Sequence, residues 1–264
     1  MLSNLAGCAA AGPQSQLAYG KIMSQTKILR QRIHDGEVLV ALRGSILTSK
    51  NELADIWSTG KYDYIWIDGQ HTPFREEQLV EYCSAAEELG IDVQLRIPHT
   101  RHAYMVGRFL DFGFSAVLVP EVMEPETVDD AIAYAYYGPV GRRSWGGLAR
   151  RGLGKGLDRP AYAAWWNDYV ILGIQIESVE AVSNIRKLAR PGISLVTFGP
   201  NDLTFSLEDH PGYPLRNVED CMRNVAAQLE GTGIRMAMGT ATESEERDVY
   251  LEMGVTLFQS NAPA

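Results

Sequence analysis

Short apolar runs punctuate the chain at near-regular intervals: residues 38–42, 64–67, 93–95, 116–119, 170–176, 195–198, 234–238 and 255–258. Most are continuously apolar or β-branched rather than alternating, which is the pattern of parallel strands buried on both faces. Between most of them the spacing becomes helical. Residues 73–89 begin on Pro73, carry Glu76 and Glu77 in the first turn and stop at Gly90, so both ends are marked. Helical patterns also cover 102–112, 125–137, 178–190, 215–231 and 242–253, with an extra helix over 22–34 ahead of the first strand. Eight strands alternating with helices predict an α/β fold, a (β/α)8 TIM barrel. The rival is a doubly wound sheet, which usually has fewer strands and often a Gly-rich phosphate loop after the first. Here the first strand runs into Arg43-Gly44-Ser45-Ile46 instead. Residues 1–20 are small and polar and predict a loose arm; residues 21–264 read as one barrel domain.

In such a barrel the chemistry sits where strands end. Strand two ends Ile67-Asp68-Gly69-Gln70-His71, strand three Leu95-Arg96-Ile97-Pro98, strand five Gln175-Ile176-Glu177, and strand six Phe198-Gly199-Pro200-Asn201-Asp202. Apolar strands that finish in charged residues are hard to explain by packing, because buried charge is costly unless it is paired or bound to metal. Glu177 and Asp202 lie one βα unit apart and should project into one mouth. Two carboxylates without a Cys or His cluster describe a hard divalent site for Mg²⁺ or Mn²⁺. Helix capping competes for the same two residues, since both open helical segments. His71, on a turn near this site, is placed to act as an acid or base near neutral pH. Arg96 is a fork donor suited to a carboxylate or a developing oxyanion.

About fifty residues separate strand four from strand five. They contain Gly141-Arg142-Arg143-Ser144-Trp145 and then Tyr162, Trp165 and Trp166. Glycines beside paired arginines suit close approach to an anion, and long loops at this face often carry function. The alternative is that the aromatics pack the loop itself.

Composition narrows the field. The formal charge of −9 argues against a sequence-independent nucleic-acid binder, which needs a basic footprint. At 45% hydrophobic residues, the chain can build a large core. No run of about 18 apolar residues is present to span a membrane. Cys8, Cys83 and Cys221 are odd in number and widely spaced, which fits a reducing cytoplasm rather than a disulfide framework. Leu5-Ala6-Gly7-Cys8 has the look of a lipoprotein cleavage box but lacks a preceding basic and apolar signal.

Six segments in order resemble the signature of the HpcH/HpaI aldolase family of metal-dependent pyruvate aldolases. They are Ile67-Asp68-Gly69-Gln70-His71, Leu95-Arg96-Ile97-Pro98, Leu110-Asp111-Phe112-Gly113 with Leu118-Val119-Pro120, Pro139-Val140-Gly141-Arg142-Arg143, Gln175-Ile176-Glu177, and Phe198-Gly199-Pro200-Asn201-Asp202-Leu203. The resemblance implies that Glu177 and Asp202 ligate Mg²⁺, Mn²⁺ or another divalent ion that chelates pyruvate. It implies that Arg96 stabilises the enolate oxygen and that His71 is the acid/base group, oriented by Asp111. Asp68 belongs to the same catalytic set. Gln175 and the backbone amides near Gly199 and Pro200 would line the pyruvate site. The implied reaction is reversible aldol cleavage of a 4-hydroxy-2-oxo acid to pyruvate and an aldehyde.

Departures from the pattern open a second reading. Gln70 replaces the usual Glu, and Trp66 stands where an aliphatic residue is usual. With the Arg-Arg-Ser-Trp run, Trp66 resembles the macrophomate synthase branch of the family, which decarboxylates oxaloacetate and adds the enolate to a 2-pyrone. In that reading Trp66 and Arg143 would help bind the acceptor. A non-catalytic 2-oxo acid binding protein is the alternative from another class. The family's final helix has no counterpart before Ala264. In related aldolases that helix packs on a neighbouring subunit, so a homo-oligomer, trimer or hexamer, is expected.

Overall fold

Strands β1 (Leu39–Arg43), β2 (Tyr64–Asp68), β3 (Val93–Arg96), β4 (Ala116–Val119), β5 (Ile171–Ile176), β6 (Leu195–Phe198), β7 (Arg235–Ala241) and β8 (Val255–Asn261) pair in parallel and in chain order. β8 closes on β1 through a register that sets Leu39 against Leu257 and Arg43 against Asn261. This (β/α)8 barrel is seen in a computed structural model that describes residues 27–261. The expected arm, the first part of the 22–34 helix and the chain after β8 lie outside the described residues.

Each strand feeds two cores, which is why the runs are apolar throughout. Alternate residues point inward. Leu39 and Ala41, Tyr64 and Trp66, Ala116 and Leu118, with Ile171, Leu195, Ala237 and Leu257, fill the barrel. Helix α1 (Leu29–Asp35) adds Leu29 and Ile33 to this cluster. The opposite faces pack under the helical layer in a second, larger core. Carrying the inward phase one step further along the strands reaches Arg43, Asp68, Arg96, Gln175 and Gln259. The interior therefore turns polar at its C-terminal end.

The helical layer comprises α2 (Lys50–Ser58), α3 (Glu76–Glu88), α4 (Val106–Leu110), α5 (Pro125–Ala135), α6 (Arg159–Tyr169), α7 (Val179–Leu188), α8 (Pro200–Asp209), α9 (Val218–Leu229) and α10 (Arg247–Leu251). The predicted 102–112 helix is a 3-10 turn, Thr100–Met105, followed by the short α4. The 242–253 helix is likewise a 3-10 turn and the short α10. Two helices have no counterpart in the sequence reading. α2 opens on a capping box in which Ser49 and Glu52 bond each other's backbone. α6 lies inside the long connection and is capped by the Asp158 side chain.

α6 explains the aromatics of that connection. Tyr162 and Trp166 are buried and stacked at 6.2 Å between ring centroids, and Trp165 stacks on Tyr169 at 4.7 Å. Trp166 Nε1 donates to the Ala135 carbonyl at 2.9 Å. The aromatic residues of α6 thus pin the loop to α5; they pack the loop rather than wall a site.

Candidate active site

Asp68 and Arg96 end neighbouring strands and stand opposite each other in the register. Arg96 Nε donates to Asp68 Oδ1 at 2.9 Å and Nη2 to Oδ2 at 2.7 Å. Burial alone would raise the Asp68 pKa. The hydrogen bonds and charge of Arg96, helped by the amides of Gln70 and His71, hold it below the usual carboxylate value. The third face of the guanidinium turns to β5, where Nη1 reaches Gln175 Oε1 at 3.4 Å. Gln175 Nε2 in turn donates to Glu177 Oε2 at 2.7 Å.

Glu177 does not cap a helix. Ser178 does that for α7, its hydroxyl accepting from Ala181 N at 3.1 Å. The Glu177 carboxylate instead faces inward, accepts from Glu121 N at 2.9 Å through Oε1, and is buried. Burial first, and then the nearby Asp202 charge, push its pKa up to about 7. Asp202 sits in the first turn of α8, where no side-chain cap bond forms. Glu177 and Asp202 share a cleft of about 540 Å³ with Glu121, Glu124, His99 and Arg101.

Gly199 keeps this corner open. A Cβ there would overlap Glu177 Oε2 and stand 2.7 Å from Gln175 Nε2. Two carboxylates in one cleft, and a cradle that a methyl group would fill, suit a hard divalent cation. Among the described residues no group of three or more His, Cys, Asp or Glu gathers to hold a metal.

Several sequence expectations need correction. Asp111 does not orient His71 within the chain. Its Oδ1 accepts from Arg143 Nη2 at 2.6 Å, because Arg143 is buried and needs a counter-charge. The Arg143 guanidinium lies 4.2 Å over Trp166 and 5.1 Å over Tyr137. Trp66 is no exposed wall either. It is 3% exposed, inside the barrel, with Arg43 at 4.7 Å and Arg96 at 5.2 Å from its ring centre. Gly199 N already donates to the Ile176 carbonyl at 3.2 Å, and Pro200 has no N–H. The amides nearby that a helix leaves without internal partners are those of Asn201 and Asp202, in the first turn of α8. His71 is exposed at the β2 end, with its backbone N–H 3.4 Å from Asp68 Oδ1.

Three residues of the mouth escaped the sequence reading. Arg43 ends β1 and donates from Nη1 to Gln259 Oε1 at 3.0 Å. Glu121 follows β4 with φ of 52°, a strained value for a residue other than glycine, and it is held there by bonds to Glu177 and Gln70. Both could have been found by applying the strand-end rule to strands one and four. Gln259 gave no such signal, because its strand was read as ending at 258.

The HpcH/HpaI aldolase/citrate lyase family profile matches residues 46–260, and the chain belongs to that family of carbon–carbon lyases. A 2-keto-3-deoxy-L-rhamnonate aldolase of Escherichia coli strain UMN026 is 30% identical over 213 residues, covering 79% of this chain and 78% of the relative. The crystal structure of an HpcH/HpaI aldolase from Desulfitobacterium hafniense DCB-2 superposes with a TM-score of 0.76 at 26% identity, over 89% of this chain and 91% of that one. Macrophomate synthase is similar in fold, with a TM-score of 0.72 at 24% identity over 89% of this chain and 83% of its own. No helix among the described residues is long and apolar enough to cross a membrane.

Proposed function

We propose that the protein is a divalent-metal-dependent lyase that makes and consumes the enolate of pyruvate, by reversible aldol cleavage of 4-hydroxy-2-oxo acids to pyruvate and an aldehyde. The observation that carries this reading is the unbroken chain Asp68–Arg96–Gln175–Glu177, which couples a fixed cation to the carboxylate pole of the mouth. The aldolase name of the 30% identical relative supports the direction of the chemistry.

Glu177 and Asp202 would hold the ion, Mg²⁺ or Mn²⁺. Bound there, a divalent ion supplies Lewis acidity toward the keto oxygen of a 2-oxo acid and so acidifies the hydrogens on the next carbon. The remaining work falls to the chain. Arg96 is locked by Asp68 before substrate arrives, so its charge stabilises the enolate oxygen without reorganisation. His71, reachable from solvent, takes the proton of the 4-hydroxyl in cleavage and returns it to the aldehyde oxygen in condensation. Gln175 keeps the Glu177 carboxylate and the Arg96 guanidinium in fixed relation. Gly199 leaves room at the acid pole. The amides of Asn201 and Asp202, at the start of α8, donate to the carboxylate of the 2-oxo acid.

The test is pyruvate release from a 4-hydroxy-2-oxo acid, followed by reduction of the pyruvate with a coupled dehydrogenase. Chelation should abolish release, Mg²⁺ or Mn²⁺ should restore it, and Glu177→Gln and Asp202→Asn should not respond to added metal. Turnover that survives chelation in the native protein overturns the metal assignment.

A further inference from the structure

We propose that Glu121 is a positioning residue: its carboxylate, tied to Gln70, holds a left-handed turn whose backbone amide fixes the Glu177 carboxylate for the metal. This deepens the metal-dependent reading above and rests on it.

Among the described residues Glu121 is the only one other than glycine with a positive φ, at 52°. A Cβ makes that region costly, so a side chain persists there only where its surroundings impose it, and such places cluster at functional sites. The local chain shows what the turn achieves. Val119 stands in register with Ile174, and Val122 N donates to the Gln175 carbonyl at 3.0 Å. Pro120 and Glu121 therefore loop out against a single step of β5. Pro120 has no N–H to give to the ladder. The Glu121 N–H goes instead to the Glu177 side chain, 2.9 Å from Oε1.

That bond completes the hold on Glu177. Gln175 Nε2, on β5, donates to Oε2 at 2.7 Å, and the Glu121 amide, past the end of β4, donates to Oε1. Each oxygen is thus fixed by its own donor, and each keeps a lone pair for a cation. Burial and the Asp202 charge disfavour the ionised carboxylate, whereas the Glu121 amide favours it.

The side chain is what holds the turn. Glu121 Oε1 accepts from Gln70 Nε2 at 3.0 Å. Gln70 N in turn donates to Asp68 Oδ1 at 2.9 Å, so the tether ends on the Asp68–Arg96 pair. Near the other oxygen stands His99, with Nε2 at 3.8 Å from Oε2. Nδ1 of that ring accepts from Arg101 N at 3.0 Å, which leaves the hydrogen on Nε2, toward Glu121. The neutral amide of Gln70 is essential to this arrangement. A glutamate at position 70 would set two carboxylates against each other.

The experiment is calorimetric titration with Mn²⁺ of the native protein, Glu121→Gln, Glu121→Ala, Glu121→Gly, Gln70→Glu, and the double variant that combines Gln70→Glu with Glu121→Gln. Urea midpoints check that each variant is folded. Glu121→Ala loses the tether and keeps a Cβ, so the turn relaxes and Mn²⁺ affinity should fall about tenfold or more. Glu121→Gly loses the tether but not the turn. It should bind Mn²⁺ about fivefold or more tighter than Glu121→Ala, the ratio set by the usual cost of a left-handed residue with a Cβ. Glu121→Gln still accepts from Gln70 and should stay closest to native. Gln70→Glu should weaken binding as Glu121→Ala does, and the double variant, in which donor and acceptor change places, should recover most of the loss. Equal affinities in Glu121→Ala and Glu121→Gly overturn the proposal, and so does a double variant no better than Gln70→Glu. A Glu121→Gln as weak as Glu121→Ala overturns it too, because the carboxylate would then act on the ion directly. A native protein that binds no Mn²⁺ defeats the metal reading itself, and this proposal with it.

Discussion

Asp68 and Arg96 face each other from adjacent strand ends and share two hydrogen bonds, 2.9 and 2.7 Å long. The pair locks the guanidinium and at the same time ties the turn that carries His71, because Asp68 Oδ1 also accepts from Gln70 N at 2.9 Å. Geometry and charge at the mouth depend on one carboxylate.

Asp68→Asn should therefore lower stability at neutral pH by about 3 kcal/mol, the cost of leaving a buried partner charge unpaired. The pH dependence has a fixed sign. Asp68 has a folded pKa below its unfolded value of about 3.9. Its stabilisation is complete above that value and is lost as pH falls through the folded pKa. Urea midpoints measured from pH 7 to pH 2 should converge for native and variant proteins below about pH 4. A constant gap across that range would contradict the pairing.

His71→Ala should slow aldol cleavage by about 10² to 10⁴, the usual worth of general acid–base catalysis. Decarboxylation of oxaloacetate needs no base to reach the enolate, so the same variant should lose far less of that activity. Steady-state rates on both substrates decide the matter; equal losses would remove His71 from proton transfer.

Gly199→Ala adds a methyl group that overlaps Glu177 Oε2. The carboxylate must then move. Mn²⁺ affinity, read by titration calorimetry, should fall about tenfold or more, as for other changes that disturb how a ligand is held. Native-like affinity would show that Glu177 is not a ligand in its present position.

Trp166→Ala should cost about 3–5 kcal/mol, because the residue is fully buried and its loss opens a cavity. It also removes the ring against which Arg143 rests at 4.2 Å. Chemical denaturation measures this directly. A loss below about 1 kcal/mol would mean that the long connection is not held by α6.

Strand order, strand polarity and the charged strand ends were legible because they are local. An apolar run that stops at Asp68 or Arg96 reads the same in any window. α6 was missed because its glycine-rich approach and its run of aromatics conceal the amphipathic spacing. α2 was missed although Ser49 and Glu52 spell a capping box.

The sequence by itself determined the barrel, the end of it that carries polar residues, and the nomination of Glu177, Asp202, Arg96, Asp68 and His71. Only the tertiary structure decided their partners. It gave Asp111 to Arg143 rather than to His71, sank Trp66 between two guanidiniums, and brought Arg43 into the mouth opposite Glu177. The reason is physical. Periodicity and burial are set by each segment and its immediate neighbours, whereas pairing between distant charges depends on how the barrel closes and where the long connection runs.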